Sequence, residues 1–341
     1  MLFMETHPLI VTHAEDPDGI ISHALLLRAL DIHDQTLSPE NHHFLRYDRL
    51  VEQFESIGDL LRDSKKDLYI ADIGLNPALA AVRNGHLVPE ILQNARSTTW
   101  IDHHVNTEIR IGLLNHFGVD VVYNNRQCAG QQTQRYFNLN SPYEILLGKI
   151  AQAHDYKKLG VHHPNITLGD ELQAVISYAN ASLDFNMLAE FTAGLRDENV
   201  IQGERLTSDW EDIVIDYEHK QQQAFQDLEN SIESETIAGH RVLWAVASPY
   251  LSAKPAPRYM KQYYSDKCDF YIVIFESPTR NHIFEKSPHV LFPVEAMAQS
   301  LGGGGRGDGG GFSVPYDTTE ETIPQIKELV REKIEHYSRS A

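Results

Sequence analysis

Three times in the first third of this chain, a short apolar segment runs directly into carboxylate and imidazole side chains. Pro8-Leu9-Ile10-Val11-Thr12 leads into His13, Asp16 and Asp18-Gly19. Asp67-Leu68-Tyr69-Ile70-Ala71 ends at Asp72, and Ser97-Thr98-Thr99-Trp100-Ile101 ends at Asp102-His103-His104. Short β-branched and aromatic runs of this kind read as strands. Where an open α/β sheet carries a ligand site, the site collects at the carboxyl ends of its strands. A fourth polar pair, His154-Asp155, follows a helical pattern over Ile145–Ala153.

Helical patterns separate the strands, over Ile20–Leu30, Leu50–Arg62 and Pro77–Asn94, the last interrupted at Gly85. Val119–Tyr123 reads as a further strand, and Gly130–Phe137 and Tyr143–Gln152 as helices. This alternation predicts an α/β protein whose N-terminal lobe is a doubly wound, mostly parallel sheet. Residues 206–235 are polar and helix-favouring and read as a linker helix. Beyond it, Arg241–Ala247 and Asp269–Phe275 read as strands, and Thr322–Tyr337 as a terminal helix. We therefore expect three parts: a first domain over 1–205, the linker over 206–235, and a smaller α/β domain over 236–341.

Charge narrows the function classes. With 48 acidic and 29 basic residues the formal net charge is −19. That balance argues against a general duplex-binding protein, which needs a basic face to displace counterions, and against an anionic membrane surface. No apolar run is long enough for a transmembrane helix, and Met1-Leu2-Phe3-Met4-Glu5 lacks the cationic and apolar regions of a signal peptide. The expectation is a cytoplasmic protein. Cys128 and Cys268 are the only cysteines, which argues against a disulfide framework or a zinc-thiolate site; both read as small packed residues.

The strand-end groups are carboxylates and imidazoles. Oxygen-dominated sets with some histidine favour Mn²⁺ over Zn²⁺ and over Mg²⁺. Six or seven such ligands exceed what one ion takes from a protein, so two ions about 3.5–4 Å apart, bridged by a carboxylate and a water, fit better. Each piece alone has a plainer reading. An Asp after a strand is commonly a helix N-cap or turn former. Neighbouring histidines recur at His42-His43 and His162-His163 in a chain with 18 His. It is the set of four, in order and each at its place in the βαβ reading, that points to a metal centre.

These residues resemble the motifs of the DHH phosphoesterase superfamily, named for the tripeptide found here as Asp102-His103-His104. His13, Asp16 and Asp18-Gly19 look like its first motif, Asp72 its second and Asp155 its fourth, and the likeness covers nearly the whole chain. The run Gly302-Gly303-Gly304-Gly305-Arg306-Gly307-Asp308-Gly309-Gly310-Gly311-Phe312 looks like the signature of the DHHA1 domain. That domain is the substrate lobe of RecJ-type exonucleases, nano-RNases and dinucleotide phosphodiesterases; the pyrophosphatase branch has a different second lobe. The resemblance implies a hydrolase with two Mn²⁺, or Mg²⁺ or Co²⁺ in their place. It gives His13 and Asp16 to one ion, Asp18, His103 and Asp155 to the other, and Asp72 to both. His104 would face the phosphate as proton donor or electrostatic stabiliser, with Asp102 beside it in the catalytic tripeptide.

Two departures stand out. The first motif reads His-x-x-Asp-x-Asp, where nano-RNase relatives usually have one more residue before the first Asp. In the glycine run, the family pattern Gly-Gly-His-x-x-Ala-Ala-Gly has Arg306 at the His position and Gly309 and Gly310 at the alanines. Consecutive glycines let backbone N–H groups approach a phosphate or base closely, and an arginine offers a planar fork suited to phosphate or to guanine. Gly304, Gly305, Gly309, Gly310 and Arg306 are thus substrate-binding candidates, and the resemblance places this loop opposite the metals. The alternative is a flexible glycine hinge with a solvated arginine. Arg126, after the Val119–Tyr123 strand, and Arg258, Tyr259 and Lys261, in a Pro/Tyr-rich loop, are weaker candidates.

The expected activity is a phosphodiesterase acting on short oligoribonucleotides or linear dinucleotides, with pGpG as candidate substrate. Alternatives are a phosphoesterase for pAp, polyphosphate or a cyclic dinucleotide, a short single-strand exonuclease, and a non-catalytic nucleotide sensor. Long duplex nucleic acid and membranes are not expected as partners. A homodimer paired through the acidic linker helix is allowed by analogy.

Overall fold

The strand-like segments of the first lobe pair side by side in one parallel sheet. A computed structural model describes residues 7–32, 42–75, 77–80, 91–156, 165–251, 255–277 and 281–339. The strands are β1 (Leu9–His13), β2 (His42–Leu45), β3 (Asp67–Ala71), β4 (Ser97–Asp102) and β5 (Asp120–Tyr123). Their order is β2-β1-β3-β4-β5, and every pairing is parallel. From β1 the chain moves to β2 on one side and then to β3 on the other. The β1/β3 seam is therefore a topological switch point, the place where such sheets leave a crevice.

Both faces of the sheet are covered, which explains the continuous apolar runs. Ile10, Ala71 and Ile101 pack with Leu26 and Leu27 of the helix Pro17–Ala29. The alternate residues Leu9, Val11, Ile70 and Trp100 pack with Phe54, Ile57 and Leu61 of the helix Leu50–Ser64. The period of two along each strand sends these sets to opposite faces. The outer side of Pro17–Ala29 packs against the helices Pro142–Asp155, Ile166–Ser182 and Phe185–Arg196 through Ile21, Leu25, Leu147, Val175 and Phe191. Pro142–Asp155 starts at a capping box, Ser141 with Glu144, which satisfies two otherwise orphaned backbone donors.

By compactness the chain divides into one unit of 1–180 with 184–214 and a second of 181–183 with 215–341. The first also holds a two-stranded hairpin, β6 (Ile201–Gln202) and β7 (Arg205–Leu206). The helix Ser208–Asn230 leads from the first unit into the second. There a six-stranded mixed sheet has the order β12-β13-β11-β10-β9-β8. Its strands are β8 (Glu233–Ile237), β9 (His240–Ala247), β10 (Phe270–Phe275), β11 (Asn281–Lys286), β12 (Gly304–Arg306) and β13 (Gly309–Ser313). Only β9 and β10 run parallel. The molecule is thus a mixed α/β protein with a parallel five-stranded sheet and a separate mixed sheet. Among the described residues no helix is long and apolar enough to cross a membrane.

The glycine run is neither a loop nor a hinge. It forms the β12–β13 hairpin, with Gly304 opposite Gly311 and Arg306 opposite Gly309. The two-residue turn has Gly307 at φ +60°, the sign a II′ turn requires at its first position. A side chain at Gly305 would place its Cβ 2.6 Å from the Gly309 carbonyl oxygen, and one at Gly310 would meet the Ala298 methyl at 2.8 Å. Glycine there lets the hairpin lie against the helix Val294–Ser300.

Other elements also depart from the sequence reading. Pro255–Tyr264, expected as a loop, is a helix; its prolines fall in the first turn, where a missing N–H costs nothing. Ile166–Ser182 and Phe185–Arg196 are helices that the sequence reading does not include. Of the helix expected over 77–94, Pro77–Ala80 is described, while Gly85 lies outside the described residues, as do His162 and His163. His42-His43 is the start of a strand.

That strand buries an imidazole pair. His23 Nδ1 contacts Thr12 Oγ1 at 3.0 Å, and its Nε2 contacts His42 Nδ1 at 3.2 Å. Burial, then the positive charge of its neighbours, pushes His23 well below the ordinary histidine value, and His42 and His43 down to about 4. A histidine depressed in the fold binds fewer protons folded than unfolded, so its cost is absent above about pH 6.5 and grows as pH falls towards 4. Stability should drop over that window by on the order of 2–3 kcal/mol for each of His42 and His43. Urea unfolding at pH 7.5 and pH 4.5 measures it, and His42→Gln should flatten the slope.

Candidate metal centre

The carboxyl ends of β1, β3 and β4 bring His13, Asp72 and Asp102 to one edge of the sheet. The βα turn after β1 adds Asp16 and Asp18. Asp16 is the N-cap of Pro17–Ala29, and its Oδ1 accepts the Gly19 N–H at 3.2 Å. Its other oxygen, Oδ2, lies 3.3 Å from His13 Nδ1. Capping and site chemistry therefore use different oxygens of one carboxylate. Gly19 makes the turn fit, since a Cβ there would sit 2.1 Å from the His13 carbonyl oxygen.

Asp72 is the centre of the arrangement. It is buried, at 1% exposure, and holds φ +58°, a left-handed backbone that costs a non-glycine residue about 1–3 kcal/mol unless its surroundings enforce it. They do so here. Its N–H donates to the Ile101 carbonyl at 3.0 Å, the Trp100 indole donates to the Ile73 carbonyl at 2.9 Å, and the Leu75 N–H donates to Thr107 Oγ1 at 2.8 Å. Asp72 Oδ2 then lies 3.6 Å from His13 Nδ1, and Oδ1 lies 3.3 Å from His103 Nε2. Each oxygen serves a different histidine.

Two ligand groups result. His13, Asp16 and Asp72 each bring one donor atom within 4.8 Å of the others; so do Asp72, Asp102, His103 and His104. Asp72 belongs to both. Asp18 and Asp155 stand beside the second group, against His103. Asp18 Oδ2 is 3.6 Å from Nε2, and Asp155 Oδ2 is 3.7 Å from Nδ1. Asp18 is also a structural acceptor, taking the N–H groups of Ala129 at 2.8 Å and Gly130 at 2.7 Å at the start of the helix Ala129–Tyr136. His104 Nδ1 donates to Asp102 Oδ1 at 2.7 Å, leaving Nε2 as its other ring nitrogen.

Electrostatics fit a site built for positive charge. Burial works against charging His13, yet Asp16, Asp72 and Glu15 hold its pKa well above the ordinary value. Burial likewise opposes a charged His103, and Asp72, Asp18 and Asp155 still raise it to about 10. Burial and then Asp72 lift Asp18 far above the carboxylate range, against the pull of His103. Asp16 is driven down despite burial, chiefly by His13. The raised histidines and the raised Asp18 share one cause, crowded buried carboxylates that favour positive charge nearby. Asp72 Oδ2 and Asp102 Oδ2 are buried with no hydrogen-bond partner among the described residues, the cost of which a cation would remove. Donors are oxygen and nitrogen only. Cys128 touches the region, but burial and then Asp18 hold its thiol protonated.

Sequence reasoning overlooked several neighbours. Glu15 meets His13 Nε2 at 3.1 Å, the Tyr47 ring stands edge-on to His13 at 4.5 Å, and the Gln132 amide donates to the Asp102 carbonyl at 3.0 Å. Glu15 lay in the first motif, where only its acidity marked it; Tyr47 and Gln132 carried no local signal. Arg126 is exposed in the turn after β5. Gly304, Gly305, Gly309 and Gly310 are in the second unit, where they line a pocket of about 610 Å³ with Lys261 and Glu285. The Arg306 backbone belongs to β12, and its side chain lies outside the described residues. Arg258 is exposed on Pro255–Tyr264, and Tyr259 packs on Phe225 at 5.4 Å.

No protein-family model and no curated protein matches the sequence. Solved structures do match. A DHH-domain protein described as a member of a family of ribosomal proteins aligns at a TM-score of 0.53 with 15% identity, over 97% of this chain and 87% of that one. RecJ from Thermus thermophilus, in complex with Mn²⁺, aligns at 0.53 with 15% identity over 98% of this chain, which spans 52% of the RecJ chain. This chain has the DHH-domain fold. A pGpG-specific phosphodiesterase from Vibrio cholerae scores lower, at 0.46 with 12% identity over 97% of this chain and 100% of that one.

Within the DHH fold, the sharing of Asp72 makes a prediction. Asp72→Asn should keep the fold, because asparagine tolerates left-handed backbone. If divalent cations such as Mn²⁺ bind this cluster and raise the melting temperature of the native protein, Asp72→Asn should abolish that rise and weaken binding in calorimetry.

Proposed function

We propose that this protein is a two-metal phosphoesterase that cleaves short oligoribonucleotides or linear dinucleotides to mononucleotides, with pGpG as candidate substrate. The observation that carries the reading is the buried carboxylate of Asp72, which belongs to both ligand groups. His13, Asp16 and Asp72 would hold one divalent ion. Asp72, Asp102 and His103 would hold the other, with Asp18 and Asp155 in reach. When bound, such ions would supply Lewis-acid chemistry, polarising a phosphoryl oxygen and lowering the pKa of a nucleophilic water. Mn²⁺ is the proposed metal, with Mg²⁺ or Co²⁺ as substitutes; the RecJ structure of the same fold holds Mn²⁺.

The chain's own groups would do the rest. Burial opposes a charged His104, but Asp102 at Nδ1 raises its pKa. In the protonated ring Nε2 also carries a proton, which it could deliver to the leaving oxygen, the role a positioned imidazole fills near neutral pH. Buried carboxylates beside the centre would repel substrate phosphate unless cations are present, which ties substrate binding to metal loading. In the second unit, Arg306 with Gly304, Gly305, Gly309 and Gly310 is the proposed grip on nucleotide, and Arg126 a further phosphate contact. The net charge of −19 supports a small substrate over a long polyanion.

Product analysis on labelled two- to ten-nucleotide RNAs with Mn²⁺ tests this. Rapid cleavage of the shortest chains and of pGpG is expected. Turnover of pAp, polyphosphate or cyclic dinucleotides alone would replace the substrate assignment, and no hydrolysis at all would leave a nucleotide sensor. His104→Ala should lower kcat about 10²–10⁴-fold with metal binding kept. Arg306→Ala should raise KM for dinucleotides while leaving kcat nearly unchanged.

A further inference from the structure

The polar loop after β1 carries a carboxylate that neither ligand group uses. Glu15 Oε2 lies 3.1 Å from His13 Nε2, while the opposite ring nitrogen, Nδ1, faces Asp16 at 3.3 Å and Asp72 at 3.6 Å. An ionised carboxylate can only accept, so Nε2 must be the donor in this contact. In the neutral ring Nδ1 then carries the lone pair, aimed at the two aspartates. We propose that Glu15 is the positioning residue of His13, setting both tautomer and ring direction so that Nδ1 is the metal-ligating atom.

Glu15 is itself held from several sides. The Arg46 guanidinium is 3.9 Å from its Oε1, and the Tyr47 N–H reaches Oε2 at 3.5 Å. Arg46 is 4% exposed; its Nη2 donates to Asp48 at 3.2 Å, and its Nε and Nη1 have no hydrogen-bond partner among the described residues. Glu15 is therefore a second anion beside this buried cation, on the side that Asp48 leaves open. The loop backbone is fastened as well: Gln173 donates to the Glu15 carbonyl at 2.9 Å, and Asn180 to the Ala14 carbonyl at 2.7 Å. The Tyr47 ring, edge-on to His13, closes the remaining side. A histidine ligand whose second nitrogen donates to a carboxylate is more basic and better oriented, and losing that partner costs about 10–100-fold in metal affinity. The function is local: among the described residues Glu15 makes a hydrogen bond or ion pair with His13 and with none of the second group, so it should act on one ion only.

The inference rests on the metal reading of the site, and one calorimetric experiment separates the two. Mn²⁺ is titrated into the metal-free full chain, native, Glu15→Leu and Glu15→Gln, with thermal melting of each metal-free protein alongside. The native chain should bind two ions. Glu15→Leu should weaken one site about 10–100-fold and leave the other within a factor of about two. Glu15→Gln, which keeps an acceptor oxygen, should recover part of the loss. If the native chain binds no Mn²⁺, the metal reading fails. If it binds two and both variants match it, Glu15 has no positioning role. Equal weakening of both sites, or no recovery in Glu15→Gln, would make Glu15 merely structural and overturn the proposal. Should Glu15→Leu fail to fold, as its melt would reveal, Glu15→Gln decides by the same split between sites.

Discussion

The constraint on which the rest of the first unit depends is a crowd of buried carboxylates. Asp18, Asp72 and Asp102 are each at most 2% exposed, and Asp16 and Asp155 stand close by. Unpaired buried carboxylates are costly, and crowding raises the cost further. The fold answers with histidines, with backbone N–H groups directed at Asp18, and with carboxylate oxygens left unsatisfied. Those oxygens and the raised histidines describe a site whose own residues do not neutralise it. Divalent cations are the simplest remedy for such a cluster.

Rigidity follows from the same constraint. Asp72 can be shared only if its carboxylate is held in place, and its left-handed backbone is pinned by a bond to β4 and by the fastening of Ile73 and Leu75 to Trp100 and Thr107. Gly74 completes the fit, since a Cβ there would lie 3.1 Å from the His104 ring. Gly130 plays the same part under Asp18, where a Cβ would come within 3.1 Å of Oδ1. The glycines near this centre thus allow approach between groups that must touch. Those of the β12–β13 hairpin serve packing in the same way.

Much of this could be read from residues alone. The strands β1, β3, β4 and β5 were legible because they are short apolar runs in a sheet covered on both faces. The polar groups at their ends were legible because charge cannot continue into such a core. β2 was obscured by its histidines, which are polar by composition yet neutral when buried. Pro255–Tyr264 was obscured by prolines that resemble loop signals, whereas Ile166–Ser182 does carry a helical stripe of Leu168, Leu172, Val175, Ile176 and Ala179. Tyr47 and Gln132 were illegible for a different reason: each acts through contacts that depend on how separate segments meet, whereas Glu15 stands two residues from His13 and only its acidity marked it.

Residue type and order determined which chemistry is available: carboxylates and imidazoles without thiolate, placed where strands end, with a glycine-rich segment later in the chain. Tertiary structure decided how those groups divide. It gave Asp72 to two clusters, turned one oxygen of Asp16 to capping and the other to His13, directed Asp18 at backbone amides, and set Glu15 behind His13. It also made the glycine run a hairpin. The reason is physical. Spacing along a chain says which side chains can be near a strand end, but hydrogen-bond direction and the two distinct nitrogens of each imidazole are settled only when separate strands and helices pack together.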